Sequence, residues 1–488
     1  MPCGREPARE LIGRVASAFA ELPEGPPGEA SGPFKSAGDG DLGADGPFGS
    51  GGDGNLSADG PFRPASDDSL GANGPLNWPG YGDQLARATS LTGEHESVVC
   101  GVADLGGTTA VVVAFEFGFL GGSLGTRTGA RIEQAFTHAR EQGLPVVSLV
   151  ATGGSRMQEG TPALMQLTRI ARQLTLTRRA GLPHIAVLRD PTTGGGWATL
   201  GAGADIVLGV RGAQVGFAGS RVRPPGYSVT QQFAAGLVDQ LLTPDELPAR
   251  LHRWLRLLTT PGDEAPVPHA LGQAALPPTG WDAVVNARAL GRPRAKQYLG
   301  AYFDWHEPVN GDRAGGVDPG VLCGFGQRDG RTFAYAAQCG TATRPAGFRT
   351  AARLVELADR LGVPVLTLVD TPGAANDAAA EKAGVGAAIA ALFTAIAGAR
   401  VPVTTLVVGE GGSGGALAFA APDRMWVTPD SYFAVISPEL ATAILKRDPA
   451  QARRTADQLR LRPQDLVELG VARGIAQPDR SADQATAM

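Results

Sequence analysis

Apolar residues recur at helical spacing over residues 8 to 22, where Ala8, Leu11, Ile12, Val15, Ala16, Phe19 and Leu22 fall on one stripe. The chain is therefore predicted to open with a short amphipathic helix. The pattern then lapses into a 14-residue unit repeated three times: GPFKSAGDGDLGAD from Gly32, GPFGSGGDGNLSAD from Gly46 and GPFRPASDDSLGAN from Gly60. Each copy offers one Phe and one Leu among mostly Gly, Asp, Ser and Ala, too little apolar surface to offset the entropy of ordering the backbone. A flexible, disordered linker is expected, and with the helix it makes up an N-terminal segment, 1–77. From Trp78 onward apolar strand-like runs alternate with amphipathic stretches, the mark of an α/β chain.

The α/β part repeats itself. With the second half laid under the first at one constant offset, Gly143-Leu-Pro-Val falls on Gly362-Val-Pro-Val, and the apolar runs that follow read VVSLVATGG and VLTLVDTPG. The same offset lays Leu182-Pro183 and HIAVLRDPTTGGG on Val401-Pro402 and VTTLVVGEGGSGG. Each half is thus expected to run helix, strand, helix, strand into a glycine-rich turn, with units over 78–290 and 291–488.

Composition narrows the function classes. The 488 residues are 43% hydrophobic with a formal net charge of -5, enough for ordinary cores and wrong for a nucleic-acid partner, which calls for clustered Lys and Arg. The four cysteines, Cys3, Cys100, Cys323 and Cys339, form no CxxC pair, so neither a disulfide framework nor a local zinc ribbon is expected. No apolar run reaches the length of a membrane span, and Arg5, Glu6, Arg9 and Glu10 occupy the place of a signal peptide's apolar core. A cytoplasmic protein is expected.

The two glycine turns carry the candidate chemistry. Each follows a buried-looking strand and precedes a small-residue helix, WATLGAGA in one half and ALAFAAP in the other. Such a turn aims free backbone N–H groups at one spot and lets a ligand approach the backbone, an arrangement suited to an oxyanion or a phosphate. A single turn of this kind would more simply be close helix-to-strand packing. Two in register favour two oxyanion sites.

These residues resemble a known family. SLVATGGSRMQEG from Ser148, VLRDPTTGGG from Val187 and VGFAGSRV from Val215 resemble the β subunit of the carboxyltransferase of bacterial acetyl-CoA carboxylase. LVDTPGA from Leu368, VVGEGGSGGALA from Val407, YFAVISPE from Tyr432 and LRPQDLVELGV from Leu461 resemble its α subunit. The resemblance implies two tandem crotonase-like (ClpP/crotonase) spiral domains, the first on the acyl-CoA side and the second on the biotin side. It implies carboxyl transfer from carboxybiotin to an acyl-CoA, acetyl-CoA or propionyl-CoA, through a thioester enolate and the ureido oxyanion of biotin. By the same resemblance Gly194 and Gly195 hold the thioester oxygen, and Gly414, Gly415 and Ala416 hold the ureido oxygen. Gly121, Gly122, Gly153, Gly154 and Arg156 line the CoA side and Gly373 the biotin side, although Arg156 and Glu159 also read as a structural ion pair. The active site is implied to form between two protomers, making a homodimer the smallest assembly.

Two departures matter. The four-cysteine zinc ribbon of the two-subunit type is replaced here by the repeats, so no zinc or other metal is expected. None of the five methionines flanks a lysine, so there is no biotinylation motif. Biotin must arrive on a separate biotin carboxyl carrier protein charged by a separate biotin carboxylase.

Other readings are weaker. Ser413 and Ser123 both satisfy GxSxG, but the last histidine is His306, so Ser413 lacks the downstream histidine of the α/β-hydrolase order, and Ser123 lacks a triad context. A biotin-dependent acyl-CoA decarboxylase subunit shares the motifs and runs the transfer in reverse. A scaffold that has lost catalysis would not need intact turns in both halves.

Overall fold

The structure, a computed structural model, describes residues 5–23, 73–219 and 227–478. The 14-residue repeats, except for their last residue Asn73, and Cys3 lie outside the described residues.

Among the described residues the strands form two eight-stranded sheets. The first comprises β1 (Ala18–Glu21), β2 (Val98–Asp104), β3 (Thr109–Phe115), β4 (Val146–Thr152), β5 (His184–Thr193), β6 (Ile206–Val210), β7 (Val215–Gly216) and β8 (Gln240–Leu242). Its order is β1-β2-β3-β4-β5-β6-β8, with β7 beside β5. The second comprises β9 (Trp305–Val309), β10 (Val321–Arg328), β11 (Arg331–Gln338), β12 (Val365–Thr371), β13 (Val403–Gly412), β14 (Met425–Val427), β15 (Tyr432–Ala434) and β16 (Gly474–Ile475). Its order is β16-β14-β13-β12-β11-β10-β9, with β15 beside β13.

In each sheet an antiparallel hairpin, β2-β3 or β10-β11, feeds parallel strands through crossover helices. All seven residues of β4 and of β12 are buried, as continuous apolar runs covered on both faces must be. The predicted duplication is geometric as well as textual. Helix Thr126–Gln142, β4, helix Thr161–Arg179 and β5 recur as Pro345–Arg360, β12, Val385–Gly398 and β13. Val146 and Val365, matched at the offset seen in the sequence, each open a central strand, and His184 and Val403 do the same for the next. These are two tandem crotonase-like units.

The opening helix is shorter than the sequence suggested. It spans Ala8–Val15, and the chain then extends as β1 along β2. The sheet edge wins because Ser17 N–H reaches Asp104 O at 3.0 Å and β1 pairs with β2 along its whole length. Phe19 lies over Gly101, where a Cβ would stand 2.3 Å from its ring. Glycine there makes room for the edge strand. Residues 5–23 therefore belong to the first sheet rather than to a separate N-terminal segment.

One large core contains residues of both sheets, with the arm helix Ala8–Val15 and helix Leu247–Thr259 contributing to it. From Pro261 the chain lies with the second unit: Pro261 bridges Thr332, and helix Gly280–Arg288 packs on β13 and β15. Helix Leu247–Thr259, just before it, packs on β10 and β11 of the second sheet as well as on the arm helix.

Candidate active site

Two backbone turns stand at the carboxyl ends of matching strands. β5 ends at Thr193, and Gly194 turns the chain at φ +61° into the short helix Gly194–Gly196. β13 ends at Gly412, and Ser413 turns it at φ +53° into helix Ser413–Leu417. Gly194 and Ser413 are counterparts at the offset that relates the two halves, so the same left-handed conformation recurs at the same point of the fold. Gly195 then matches Gly414, and Gly196 matches Gly415.

The facing loops repeat too. After β4, Gly154 N–H donates to Thr152 Oγ1 at 3.1 Å, and Leu124 N–H donates to Gly154 O at 2.8 Å. After β12, Gly373 N–H donates to Thr371 Oγ1 at 3.1 Å, and Thr343 N–H donates to Gly373 O at 3.0 Å. These bonds hold each loop against its turn so closely that side chains are excluded. A Cβ on Gly194 would sit 3.1 Å from Gly154 Cα, and one on Gly415 would sit 2.3 Å from Ala374 N. Gly153 N–H bonds Gly121 O at 2.9 Å, and a Cβ on Gly122 would reach Ala151 O at 2.1 Å.

The expected residues thus gather as two clusters, one per sheet. Gly121, Gly122, Gly153, Gly154, Gly194 and Gly195 form the first; Gly373, Gly414, Gly415 and Ala416 form the second. Each opens a helix whose first N–H groups lack intrahelical partners, a fixed array of donors for developing negative charge. A Cβ on Gly414 meets nothing within 4 Å, so open space adjoins the second turn.

Arg156 is buried beside the Gly121–Ser123 loop. Its side chain is 1% exposed, and its guanidinium is enclosed by Glu96, Glu159 at 3.0 Å, Tyr81 Oη at 3.3 Å and Ser123 O at 2.9 Å. Burial alone would lower its pKa, but the charges of Glu96 and Glu159 outweigh it and the guanidinium stays ionised. Burial likewise opposes ionisation of Glu159, and Arg156, Tyr81 and Thr126 overcome it, so that carboxyl falls below its usual range. These donors and acceptors are committed to one another. Arg156 thus makes the structural ion pair with Glu159, and its bonds to Ser123 Oγ and Ser123 O tie it to the Gly121–Ser123 loop.

Sequence reasoning missed the braces of the second turn. Asp370, fully buried on β12, pairs with Arg292 and, at 3.0 Å, with Arg294, and accepts from Glu410 N–H at 3.2 Å. Arg292 also donates to Val408 O at 3.1 Å. Arg288 holds Glu410 at 2.9 Å, and Tyr432 Oη donates to the same carboxylate at 2.5 Å. Burial, and next the Glu410 charge, raise the Tyr432 pKa, so Tyr432 remains a donor. The available signal was two acidic residues set inside apolar strands.

Among the described residues no serine nucleophile is assembled. Ser123 Oγ accepts from Arg156 Nε at 3.1 Å. His184 is buried beside Phe136 and hydrogen-bonded to Ser148 Oγ at 2.8 Å, with burial lowering its pKa to about 4. It is a neutral core histidine.

Comparison with known proteins agrees with this duplicated fold. Residues 78–237 match the family described as carboxyl transferase domain, and residues 276–487 match acetyl co-enzyme A carboxylase carboxyltransferase-like. The acetyl-coenzyme A carboxylase carboxyl transferase subunits beta/alpha of Saccharopolyspora erythraea is 36% identical over 83% of this chain and 76% of its own. A probable biotin-dependent acyl-coenzyme A carboxylase beta3 subunit of Mycobacterium tuberculosis is 33% identical over 80% of this chain and 82% of its own. In fold, the chain is similar to the transcarboxylase 12S hexamer core solved with methylmalonyl-coenzyme A, at TM-score 0.68 and 19% identity over 80% of this chain and 81% of that one. With both halves matched and both turns in place, the chain belongs to the carboxyltransferase family of biotin-dependent acyl-CoA carboxylases, with its β-like and α-like units fused in one polypeptide.

Proposed function

We propose that this enzyme transfers the carboxyl group of carboxybiotin, carried on a separate biotin carboxyl carrier protein, to acetyl-CoA, giving malonyl-CoA for fatty acid synthesis. The observation that carries the reading is the pair of turns with one backbone geometry, since this reaction develops negative charge on two oxygens. The thioester oxygen lies on the N–H groups of Gly194 and Gly195, with Gly121, Gly122, Gly153 and Gly154 shaping the acyl-CoA side. The ureido oxygen lies on those of Gly414, Gly415 and Ala416, with Gly373 opposite. Carboxybiotin supplies the carboxyl group when it is bound. The second turn fits it: Gly412 and Gly415 let the backbone pack as a cradle, and Gly414 faces open space. Losing one such donor costs roughly 100- to 1,000-fold in rate.

Acetyl-CoA is proposed ahead of propionyl-CoA on the strength of the motifs shared with acetyl-CoA carboxylase; relatives of that name are 31–38% identical and an acyl-CoA carboxylase subunit is 33% identical, so the kinetic comparison below decides between the two. A biotin carboxylase recharges the carrier, no metal takes part, and the protein works in the cytoplasm as a homodimer or larger homo-oligomer. Among the described residues no helix is long and apolar enough to cross a membrane.

The test is initial-rate kinetics with carboxylated carrier protein and either acyl-CoA. One methylene in a pocket is worth about 10- to 200-fold, so kcat/KM for acetyl-CoA should exceed that for propionyl-CoA by at least about tenfold. Equal values, or a preference for propionyl-CoA, contradict the substrate assignment.

A further inference from the structure

The strand that leads into the first turn is gripped from outside by the N-terminal arm. Arg5 forks onto Asp190, donating from Nε to Asp190 O at 2.8 Å and from Nη2 to Oδ2 at 2.9 Å. In return Arg189 donates to Glu6 O, and also to Phe115 O at 3.2 Å. Asp190 lies on β5, which ends at Thr193 just ahead of Gly194, and its other carboxylate oxygen accepts from Gln214 N–H at 3.0 Å. The same arm reaches the loop that carries Gly121 and Gly122. Ala8 N–H, at the start of the arm helix, donates to Glu116 Oε2 at 2.8 Å, and Glu116 Oε1 accepts from Gly118 N–H at 2.7 Å. The Arg5 guanidinium stands 4.5 Å from the centre of the Phe117 ring. Both backbone segments that build the acyl-CoA turn are thus tied to residues 5–8.

The second half is gripped by unrelated residues one position away, at Val408 O rather than at the counterpart of Asp190 O. Val408 is the counterpart of Arg189 in the second half, and its carbonyl is held by Arg292, while Arg288 holds Glu410. Arg288 and Arg292 precede their own unit's β10-β11 hairpin in the chain, as Arg5 and Glu6 precede β2-β3. Duplicated folds that brace the same strand end with different side chains point to a requirement of the strand end itself. The braces are also more than anchors for the arm, which is already fixed by the buried Ala8, Leu11, Ile12 and Val15.

We propose that Arg5, with the Arg189–Glu6 contact, is a positioning residue that fixes the Gly194–Gly196 turn in register with the Gly121–Gly122 loop, so that the N-terminal arm is part of the acyl-CoA machinery. This rests on the reading of that turn as the thioester oxyanion site. The arm touches no substrate. It acts through Asp190, and a misplacement of about an ångström in an oriented site can cost about 100-fold in rate.

Arg5 is exposed enough to be removed without unfolding the protein, since partly exposed ion pairs contribute little to stability. Wild type, Arg5→Ala and Arg5→Lys are compared by steady-state kinetics with carboxylated carrier and acetyl-CoA, by thermal unfolding, and by amide hydrogen exchange read by mass spectrometry. The expected result for Arg5→Ala is a fall in kcat of about 10- to 100-fold, KM for acetyl-CoA within about twofold, and faster exchange confined to residues 116–122 and 189–197. Arg5→Lys, which keeps the charge without the fork, should fall between. Unchanged exchange in those segments overturns the proposal, as does unchanged kcat with exchange altered. Loss of Tm with exchange raised throughout the molecule reduces Arg5 to a general structural role and also overturns it. Should wild type carboxylate no acyl-CoA, the functional reading fails while the exchange comparison still decides whether Arg5 holds the turn.

Discussion

Arg156 is held by burial inside a charged cluster. An arginine beside a glycine loop invites a CoA phosphate, yet here Glu96, Glu159 and Tyr81 take its donors and leave none facing outward. Arg156→Lys should therefore lower stability by about 3 kcal/mol or more, because lysine cannot span two buried carboxylates as the planar fork does. KM for acyl-CoA should stay within about twofold once the protein is folded. A tenfold rise in KM with unchanged thermal unfolding would return Arg156 to the substrate. The turn residues Gly194 and Ser413 give a second contrast. At φ +61° and with Gly154 Cα 3.1 Å from its missing Cβ, Gly194 could take a side chain only with a strained backbone and a tight contact. Gly194→Ala should cost about 1–2 kcal/mol, the penalty of a left-handed L-residue, plus that contact. Ser413 already carries the penalty at φ +53°, so Ser413→Gly should be neutral or stabilising by up to about 1 kcal/mol. Chemical denaturation of both variants checks the opposite signs, and equal losses would refute the equivalence of the two turns.

At the scale of elements, the strands and crossover helices were legible because buried parallel strands read as unbroken apolar runs, and because duplication supplies a second reading of each element. The exact match of β4 with β12 and of β5 with β13 at one offset came from the residues alone. What the pattern could not show was competition for a sheet edge. The stripe from Ala8 to Leu22 satisfies helical spacing throughout, and only the free edge of β2, with Gly101 to receive Phe19, turns its second half into a strand. The braces at Asp370 and Glu410 were hidden for a related reason. Their partners Arg292 and Arg288 lie far away in sequence, ahead of the whole of the second sheet, and nothing local marks a pairing of that span.

For the whole molecule, the two units are joined by buried charge as well as by a shared core. Asp239, with its carboxylate fully buried after the first sheet's β6, accepts from Val207 N–H at 2.8 Å within its own unit. From the second unit it receives Arg313, Arg353 at 3.1 Å and Asn310 N–H at 3.2 Å. Glu307 on β9 likewise pairs with Arg250 and Arg253 and accepts from Gln240 Nε2 of β8 at 2.9 Å. Asp239→Ala would strand two arginines at this seam and should cost about 3–5 kcal/mol. Urea denaturation measures it, and a loss below about 1 kcal/mol would show that water, rather than protein, solvates those groups.

The central claim is that two backbone turns, one in each unit, hold the two oxyanions of a carboxyl transfer. It is tested most directly by following biotin-dependent release of acetyl-CoA from malonyl-CoA in wild type, in Gly414→Val and in Gly195→Ala combined with Leu167→Ala. Gly414 has open space for a side chain, and Leu167 is the group that a Cβ on Gly195 would strike, so both variants should fold. The account predicts biotin-dependent turnover in wild type and a loss of about 100-fold or more in each variant with unfolding curves unchanged. Full activity in either folded variant, or turnover in wild type that needs no biotin, would contradict it.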